Sequence, residues 1–90
     1  MNDDFSNKRI LVTGASNGLG WVIAKEFAKR NGRLIISGRN EGKLYELKAL
    51  FPYPDRHAIF SGDLLELGTI ERLDKKCRDF FGCLDIIVHV

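Results

Sequence analysis

Short, β-branched apolar runs alternate with segments of helical period along the chain, and this alternation restricts the folds that it can adopt. The runs lie at Arg9–Thr13, Leu34–Ser37, Ala58–Ser61 and Leu84–Val90, and each has the length of a buried strand. A helix between two strands returns the chain to the edge from which the first strand began, so the strands pair in parallel. The order β-α-β-α-β-α-β therefore predicts an α/β fold with a doubly wound parallel sheet in the order 3-2-1-4.

The three intervening segments show apolar residues at three- and four-residue steps, which is typical of helices packed on a sheet. The first helix is predicted at Gly18–Arg30, with Gly32 as its cap and with Leu19, Val22, Ile23 and Phe27 as its apolar face. The second begins after Asn40, ends before Pro52 and Pro54, and carries Leu44, Leu47 and Leu50. The third ends at Gly82 and carries Leu67, Ile70, Leu73, Cys77 and Phe80.

Composition excludes several classes of protein. With 44% apolar and 29% charged residues the chain resembles a globular domain, and a net charge of +2 gives no basic surface for nucleic acid or membrane. The acidic, polar N-terminus is unlike a signal peptide. The two cysteines, Cys77 and Cys83, indicate neither a metal site nor a disulfide framework. We therefore expect a cytoplasmic protein without a metal.

A glycine-rich turn joins the first strand to the first helix over Thr13–Gly20. Gly14 permits a sharp turn, Gly18 permits backbone N–H groups to approach an anion, and Gly20 permits close packing of helix on sheet. The helix N-terminus adds unpaired donors and a positive dipole end. Such a turn is also compatible with an ordinary strand-to-helix connection, but its position favours binding of a diphosphate.

The spacing T-G-x-x-x-G-x-G resembles the cofactor loop of the short-chain dehydrogenase/reductase family. It differs from the G-x-G-x-x-G of other dinucleotide folds and, at Asn17, from the T-G-x-x-G-x-x-G of the epimerase-like branch. The resemblance runs from Lys8 to Val90 and covers the first part of a member's usual length. It implies a Rossmann-like sheet truncated after its fourth strand, with residues 1–90 as one partial NAD(P)-binding domain. It also implies loop contacts from Ser16, Asn17 and Leu19.

The end of the second strand bears on the choice of cofactor. A carboxylate there selects NAD through the ribose hydroxyls, whereas a cation accommodates the 2′-phosphate of NADP. This chain has Gly38 at the carboxylate position and Arg39 beside it, so we predict NADP(H), with NAD less favoured. Arg39 is alternatively a solvated loop cation. Asn40 assists the phosphate or only caps the helix.

Two further positions follow from the resemblance. Asp63 and Leu64 match the pair that contacts the adenine ring, although Asp63 could equally be a cap or first-turn acid of the third helix. His89 stands where the family has the first Asn of Asn-Asn-Ala-Gly and could neighbour the ribose; a strand-end histidine facing solvent is the alternative. Asp85 is interpreted as a structural acid.

No catalytic residue is predicted within the chain. The family uses a Ser, and a Tyr followed at four residues by Lys, whereas Tyr45 is followed by Ala49 and Tyr53 by His57. We therefore expect the cofactor-binding portion of an oxidoreductase that acts on a carbonyl or alcohol only when the rest of the enzyme is supplied. The alternative is a non-catalytic nucleotide-binding module or truncated remnant that docks on a partner chain. An exposed fourth strand would favour self-association.

Overall fold

The computed structural model describes residues 4–90. Along this part of the chain the elements are β1 (Arg9–Thr13), α1 (Gly18–Lys29), β2 (Arg33–Gly38), α2 (Glu41–Ala49), a 3-10 turn (Pro54–Arg56), β3 (Ala58–Ser61), α3 (Thr69–Phe81) and β4 (Ile86–His89). The strands form one parallel sheet in the order β3-β2-β1-β4. The predicted fold class and strand order are confirmed.

Different helices cover the two faces of the sheet. Alternate side chains of β1 and β2 point to opposite faces, as the pleat requires. One face packs against α1 and α2 through Ile10, Val12, Leu34 and Ile36. The other packs against α3 through Leu11 and Ile35, which meet Leu73 and Cys77. Because both central strands are buried on both faces, they are apolar at nearly every position.

The packing face of α1 differs from the predicted one. Leu19 and Val22 were expected to face the core, but they are 65% and 60% exposed. The buried residues of the helix are Gly20, Ala24 and Ala28, at four-residue spacing. Small side chains allow the helix axis to approach the sheet closely, and larger ones on this face would overlap it. The prediction was wrong for Leu19 and Val22 because it searched for large apolar residues, whereas the half-buried Phe27 packs against the core as expected.

Three helix ends also differ in detail from the prediction. The left-handed residue after α1 is Asn31 (φ 74°), whereas Gly32 is buried against the side chain of Ile10. After α2, the exposed Leu50 is replaced in the core by Phe51. Helix α3 begins at Thr69, so Leu67 lies outside it and is fully exposed. Element bounds were therefore less predictable than element order.

The edge of the sheet at the amino ends of the strands is held by polar contacts. Asp85 accepts from the Arg9 backbone N–H at 2.8 Å and from Arg9 Nε at 3.1 Å, which ties β4 to β1. The buried His57 accepts from the Leu34 N–H at Nδ1 and bonds the Pro52 carbonyl through Nε2. Asp85 thus has the structural role expected of it. Within residues 4–90, no helix is long and apolar enough to cross a bilayer.

Candidate dinucleotide site

A cleft of about 350 Å³ opens at the carboxyl ends of the strands. We call it the strand-end cleft. It lies between the glycine-rich turn, the turn after β2 and the turn after β3, which is where ligands bind in open α/β sheets. Its walls are Thr13, Gly14, Ser16, Asn17, Ser37, Gly38, Arg39, Asn40, Gly62, Asp63, Leu64, His89 and Val90.

The three glycines of the turn meet different physical requirements. Gly14 and Gly18 have φ of 65° and 61°, in the left-handed region that L-residues avoid. A Cβ on Gly14 would also lie 2.6 Å from the carbonyl oxygen of Val90. Gly20 has a helical backbone, but a Cβ on it would overlap the carbonyl oxygen of Gly14. The turn therefore depends on glycine at each of these positions.

The N-terminus of α1 is left open, unlike that of α2. Asn17 is the N-cap of α1, yet its side chain makes no capping hydrogen bond, and the first turn contains no acidic residue. In α2 the N-cap Asn40 accepts from the Lys43 N–H at 3.1 Å, and Glu41 occupies the first turn. Uncapped N–H groups at the positive end of a helix dipole favour an anion. The start of α1 has this character and borders the cleft.

Two serine hydroxyls in the cleft wall are buried without a partner. Ser16 Oγ and Ser37 Oγ make no hydrogen bond among the described residues, and Ser37 is only 1% exposed. Leaving a buried hydroxyl unsatisfied costs about 1–3 kcal/mol, so native structures rarely do so. In residues 4–90 no cluster of three potential metal ligands occurs.

The turn after β2 presents one cation and no carboxylate. Arg39 is exposed and makes no hydrogen bond or ion pair within the described part of the chain. Gly38 lies against Ser16, and a Cβ on it would overlap Ser16 Oγ. Asn40 caps α2 and also lines the cleft, so its two predicted roles coexist sterically.

The turn after β3 contributes Asp63 and Leu64. Asp63 Oδ1 accepts from the Leu65 N–H at 2.9 Å, which closes a local turn. Helix α3 begins at Thr69 with Gly68 as its N-cap, so Asp63 is neither cap nor first-turn acid of that helix. The structural role of Asp63 is to stabilise this local turn. Because Oδ2 makes no hydrogen bond among residues 4–90, one carboxylate oxygen stays available to a ligand.

At the end of β4, His89 lies opposite Thr13 in the parallel register. Its Nδ1 is 2.6 Å from Thr13 Oγ1, and the two side chains are hydrogen-bonded. His89 is exposed and lines the cleft. It is therefore a strand-end histidine with a fixed ring position beside the cleft.

The cleft brings together seven of the ten predicted site residues: Gly14, Ser16, Asn17, Arg39, Asp63, Leu64 and His89. Gly18, Leu19 and Gly20 do not line it and instead form the first turn of α1. Sequence reasoning missed Ser37, whose position at the end of a buried strand was the available signal. It also missed the contact between Ser16 and Gly38.

The comparison with known proteins agrees with this geometry. The family model of the short chain dehydrogenases matches residues 8–90. The chain belongs to the short-chain dehydrogenase/reductase family. Members of this family use NAD or NADP as cofactor.

Individual relatives match nearly the whole chain. A glucose 1-dehydrogenase of Gluconobacter oxydans is 34% identical over 88 residues, which are 96% of this chain and 33% of that protein. A short chain dehydrogenase of Shigella flexneri 2a, solved with NADP, is 28% identical with a TM-score of 0.85; the match covers 100% of this chain and 39% of the other. A 3-ketoacyl-(acyl-carrier-protein) reductase of Brucella melitensis, solved with NADH, is 24% identical with a TM-score of 0.84, covering 93% and 34%. The chain thus spans between 33% and 39% of the length of these relatives.

Proposed function

We propose that this chain is the NADP(H)-binding portion of a short-chain oxidoreductase that transfers hydride between the nicotinamide and a carbonyl or alcohol substrate. The observation that carries the proposal is the pair of buried, unpartnered hydroxyls of Ser16 and Ser37 in a cleft that also presents the unpaired Arg39. Hydroxyl donors beside a guanidinium match the oxygen atoms of a phosphate. The residues present therefore fit the cofactor.

The diphosphate is assigned to the glycine-rich turn and the start of α1. There Gly14, Gly18 and Gly20 keep side chains away from the backbone N–H donors, as their conformations and close contacts require. Ser16 and Asn17 add polar side chains from the cleft wall, and Leu19 contributes its backbone N–H in the first turn. The uncapped helix end supplies the positive potential.

The 2′-phosphate is assigned to Arg39. A planar guanidinium forms two parallel hydrogen bonds with a phosphate, and each charge-assisted bond contributes about 1.5–3 kcal/mol. A carboxylate at position 38, which would accept from the ribose of NAD and repel the phosphate, is absent because Gly38 stands there. Both features favour NADP over NAD. The Shigella relative, solved with NADP, is consistent with this choice.

The adenine is assigned to Asp63 and Leu64, and the nicotinamide-side ribose to His89. Asp63 Oδ2 is free to accept from the exocyclic amine of adenine, while Oδ1 is held in its turn by the Leu65 N–H. Leu64 lines the same wall. His89, fixed by Thr13, presents its second ring nitrogen as a hydrogen-bonding group.

A titration calorimetry experiment tests the cofactor assignment. We expect the purified protein to bind NADPH about ten- to a hundred-fold more tightly than NADH, and Arg39→Asp to abolish that preference while NADH affinity stays within about threefold. Arg78→Asp is the matched control, because Arg78 lies on α3 and pairs only with Asp74 among the described contacts. An unchanged preference in Arg39→Asp, or an equal loss in both variants, would exclude Arg39 from recognition.

Hydride transfer is supported by family membership, and the cofactor, when bound, supplies the hydride. The substrate is proposed only as a carbonyl or alcohol, and a cytoplasmic location stays a prediction. The non-catalytic module predicts the same binding but no turnover. Oxidation of NADPH by a panel of aldehydes and ketones, followed at 340 nm in the full-length protein, separates the two.

A further inference from the structure

The end of β2 is held by one backbone hydrogen bond from the glycine-rich turn and by one from the turn after β3. The Ala15 N–H donates to the Ser37 carbonyl at 2.9 Å, and the Gly62 N–H donates to the Gly38 carbonyl at 2.9 Å. Gly38 is therefore held between two neighbouring segments. These bonds hold the backbone of Gly38 beside Ser16.

Gly38 is not required by its own backbone, because its φ lies outside the left-handed region. Glycine is favoured at position 38 because Ser16 lies so close to it. A Cβ on Gly38 would overlap Ser16 Oγ and would lie 3.2 Å from Ser16 Cβ and 3.3 Å from Ser16 N. Rotation of the hydroxyl would relieve the first contact only, because the Cβ and N of Ser16 do not move with it. Carbon atoms normally stay about 3.5–4.0 Å apart.

We infer that Ser16 is a specificity-determining residue that acts by crowding position 38: in the rotamer seen here its Oγ overlaps the place of a Cβ at residue 38, so a side chain there requires the Ser16 hydroxyl to rotate and its Cβ and N to shift by a few tenths of an ångström. Since position 38 is where a carboxylate would select NAD, Ser16 keeps the cleft in a form suited to the 2′-phosphate. This inference about specificity rests on the proposed function, whereas the steric contact between Ser16 and residue 38 is independent of it. Ser16 and Gly38 act as a pair, and neither alone sets the preference.

The pairing predicts how the cofactor preference can be reversed. Gly38→Asp alone introduces the carboxylate but crowds it against Ser16, whose hydroxyl must rotate and whose Cβ must shift by a few tenths of an ångström. Ser16→Gly combined with Gly38→Asp removes both the Oγ and the Cβ that obstruct it. The remaining 3.3 Å approach to the backbone N of residue 16 requires a shift of a few tenths of an ångström.

A thermal-stability cycle tests the contact without any nucleotide. We expect Gly38→Ala to lower the melting temperature by at least about 4 °C, Ser16→Ala in the same background to recover part of the loss, and Ser16→Gly to recover most of it. Gly42→Ala is the control, because a Cβ there meets only Asn40 Oδ1, at 3.5 Å. Its effect should be independent of residue 16. Additive effects of Ser16→Gly and Gly38→Ala would overturn the inference.

Nucleotide titration tests the consequence for specificity. We expect the double variant Ser16→Gly, Gly38→Asp to bind NADH at least tenfold more tightly than Gly38→Asp alone. Equal NADH affinities for the two, with both folded by circular dichroism, would overturn the role of Ser16. If the unmodified protein binds neither nucleotide, the proposed function and this specificity role both fail, whereas the stability cycle still decides whether Ser16 and Gly38 exclude each other.

Discussion

Two glycines of the same turn, Gly18 and Gly20, should differ in how substitution by alanine affects stability and nucleotide binding. Gly18 needs glycine for its φ of 61°, but a Cβ there meets no atom within 4 Å. Gly20 has an ordinary helical backbone, but a Cβ there would overlap the Gly14 carbonyl oxygen and lie 2.7 Å from its carbon. Gly18→Ala therefore causes no steric overlap, and the protein can still fold. Gly20→Ala forces two backbone segments apart.

The size of each effect follows from these contacts. An alanine in the left-handed region costs about 1–2 kcal/mol, so Gly18→Ala should lower the melting temperature by roughly 4–16 °C in a domain of this size. Overpacking a close contact costs about 1–3 kcal/mol and sometimes more. Gly20→Ala should reach the upper end or beyond, because the opposing atoms belong to the backbone and cannot rotate away.

Binding should reverse the ranking among molecules that remain folded. Gly18 follows the cleft residue Asn17, so we expect a methyl group there to hinder the approach of the proposed diphosphate to the N–H donors, and the loss of one charge-assisted hydrogen bond would weaken NADPH binding about tenfold or more. Circular dichroism melts and fluorescence titration with NADPH measure the two effects separately. If Gly18→Ala binds NADPH normally, or destabilises the protein more than Gly20→Ala, the assignment of the turn is wrong.

Two further predictions concern the rest of the sheet. Burial lowers the pKa of His57 below its ordinary 6.5, so the unfolded chain takes up a proton at a higher pH than the folded protein does. The free energy of unfolding should therefore fall as pH drops below about 6.5, by at most about 1.4 kcal/mol per pH unit. Denaturant titrations of His57→Asn, which keeps an acceptor near the position of Nδ1, should lack this pH dependence, and an unchanged slope of unfolding free energy against pH would contradict the prediction. Strand β4 pairs only with β1 among the described residues, and Ile87 on it is 63% exposed, so Ile87→Lys should reduce self-association in sedimentation velocity. Leu65→Lys, on a loop and 93% exposed, should not reduce it. Equal behaviour of these two variants would exclude the β4 edge.

The order of elements could be predicted from the sequence because the signals are local. Each strand is a continuous apolar run, and each helix repeats its apolar residues at three- or four-residue steps. The contacting face of α1 could not be predicted in the same way. Its core residues, Gly20, Ala24 and Ala28, are small, and their importance depends on how closely the helix approaches β1 and β2. That distance is a property of the assembled sheet.

In the candidate site, too, some features were predictable from local sequence and others depend on tertiary packing. The place of Arg39 and Asp63 in the cleft wall was predictable because they lie one and two residues beyond the ends of β2 and β3, and the carboxyl ends of parallel strands meet at one edge. The exclusion between Ser16 and Gly38 was not predictable, since it arises between two turns that only the pairing of β1 with β2 brings together. Local pattern indicates which residues reach the site, and packing decides which substitutions it tolerates.

Buried polar groups without hydrogen-bond partners are distributed differently at the amino-end and carboxyl-end edges of the sheet. Among residues 4–90, three buried side-chain polar atoms lack partners: Ser16 Oγ, Ser37 Oγ and Arg33 Nε. The guanidinium of Arg33 lies 5.5 Å from the ring centre of Phe81, which gives the cation a favourable neighbour. The two hydroxyls have no such substitute. His57 is satisfied at both ring nitrogens at the amino edge of the sheet, whereas the two serines at the carboxyl edge have no partner among residues 4–90, which supports the proposal that the carboxyl edge binds a ligand.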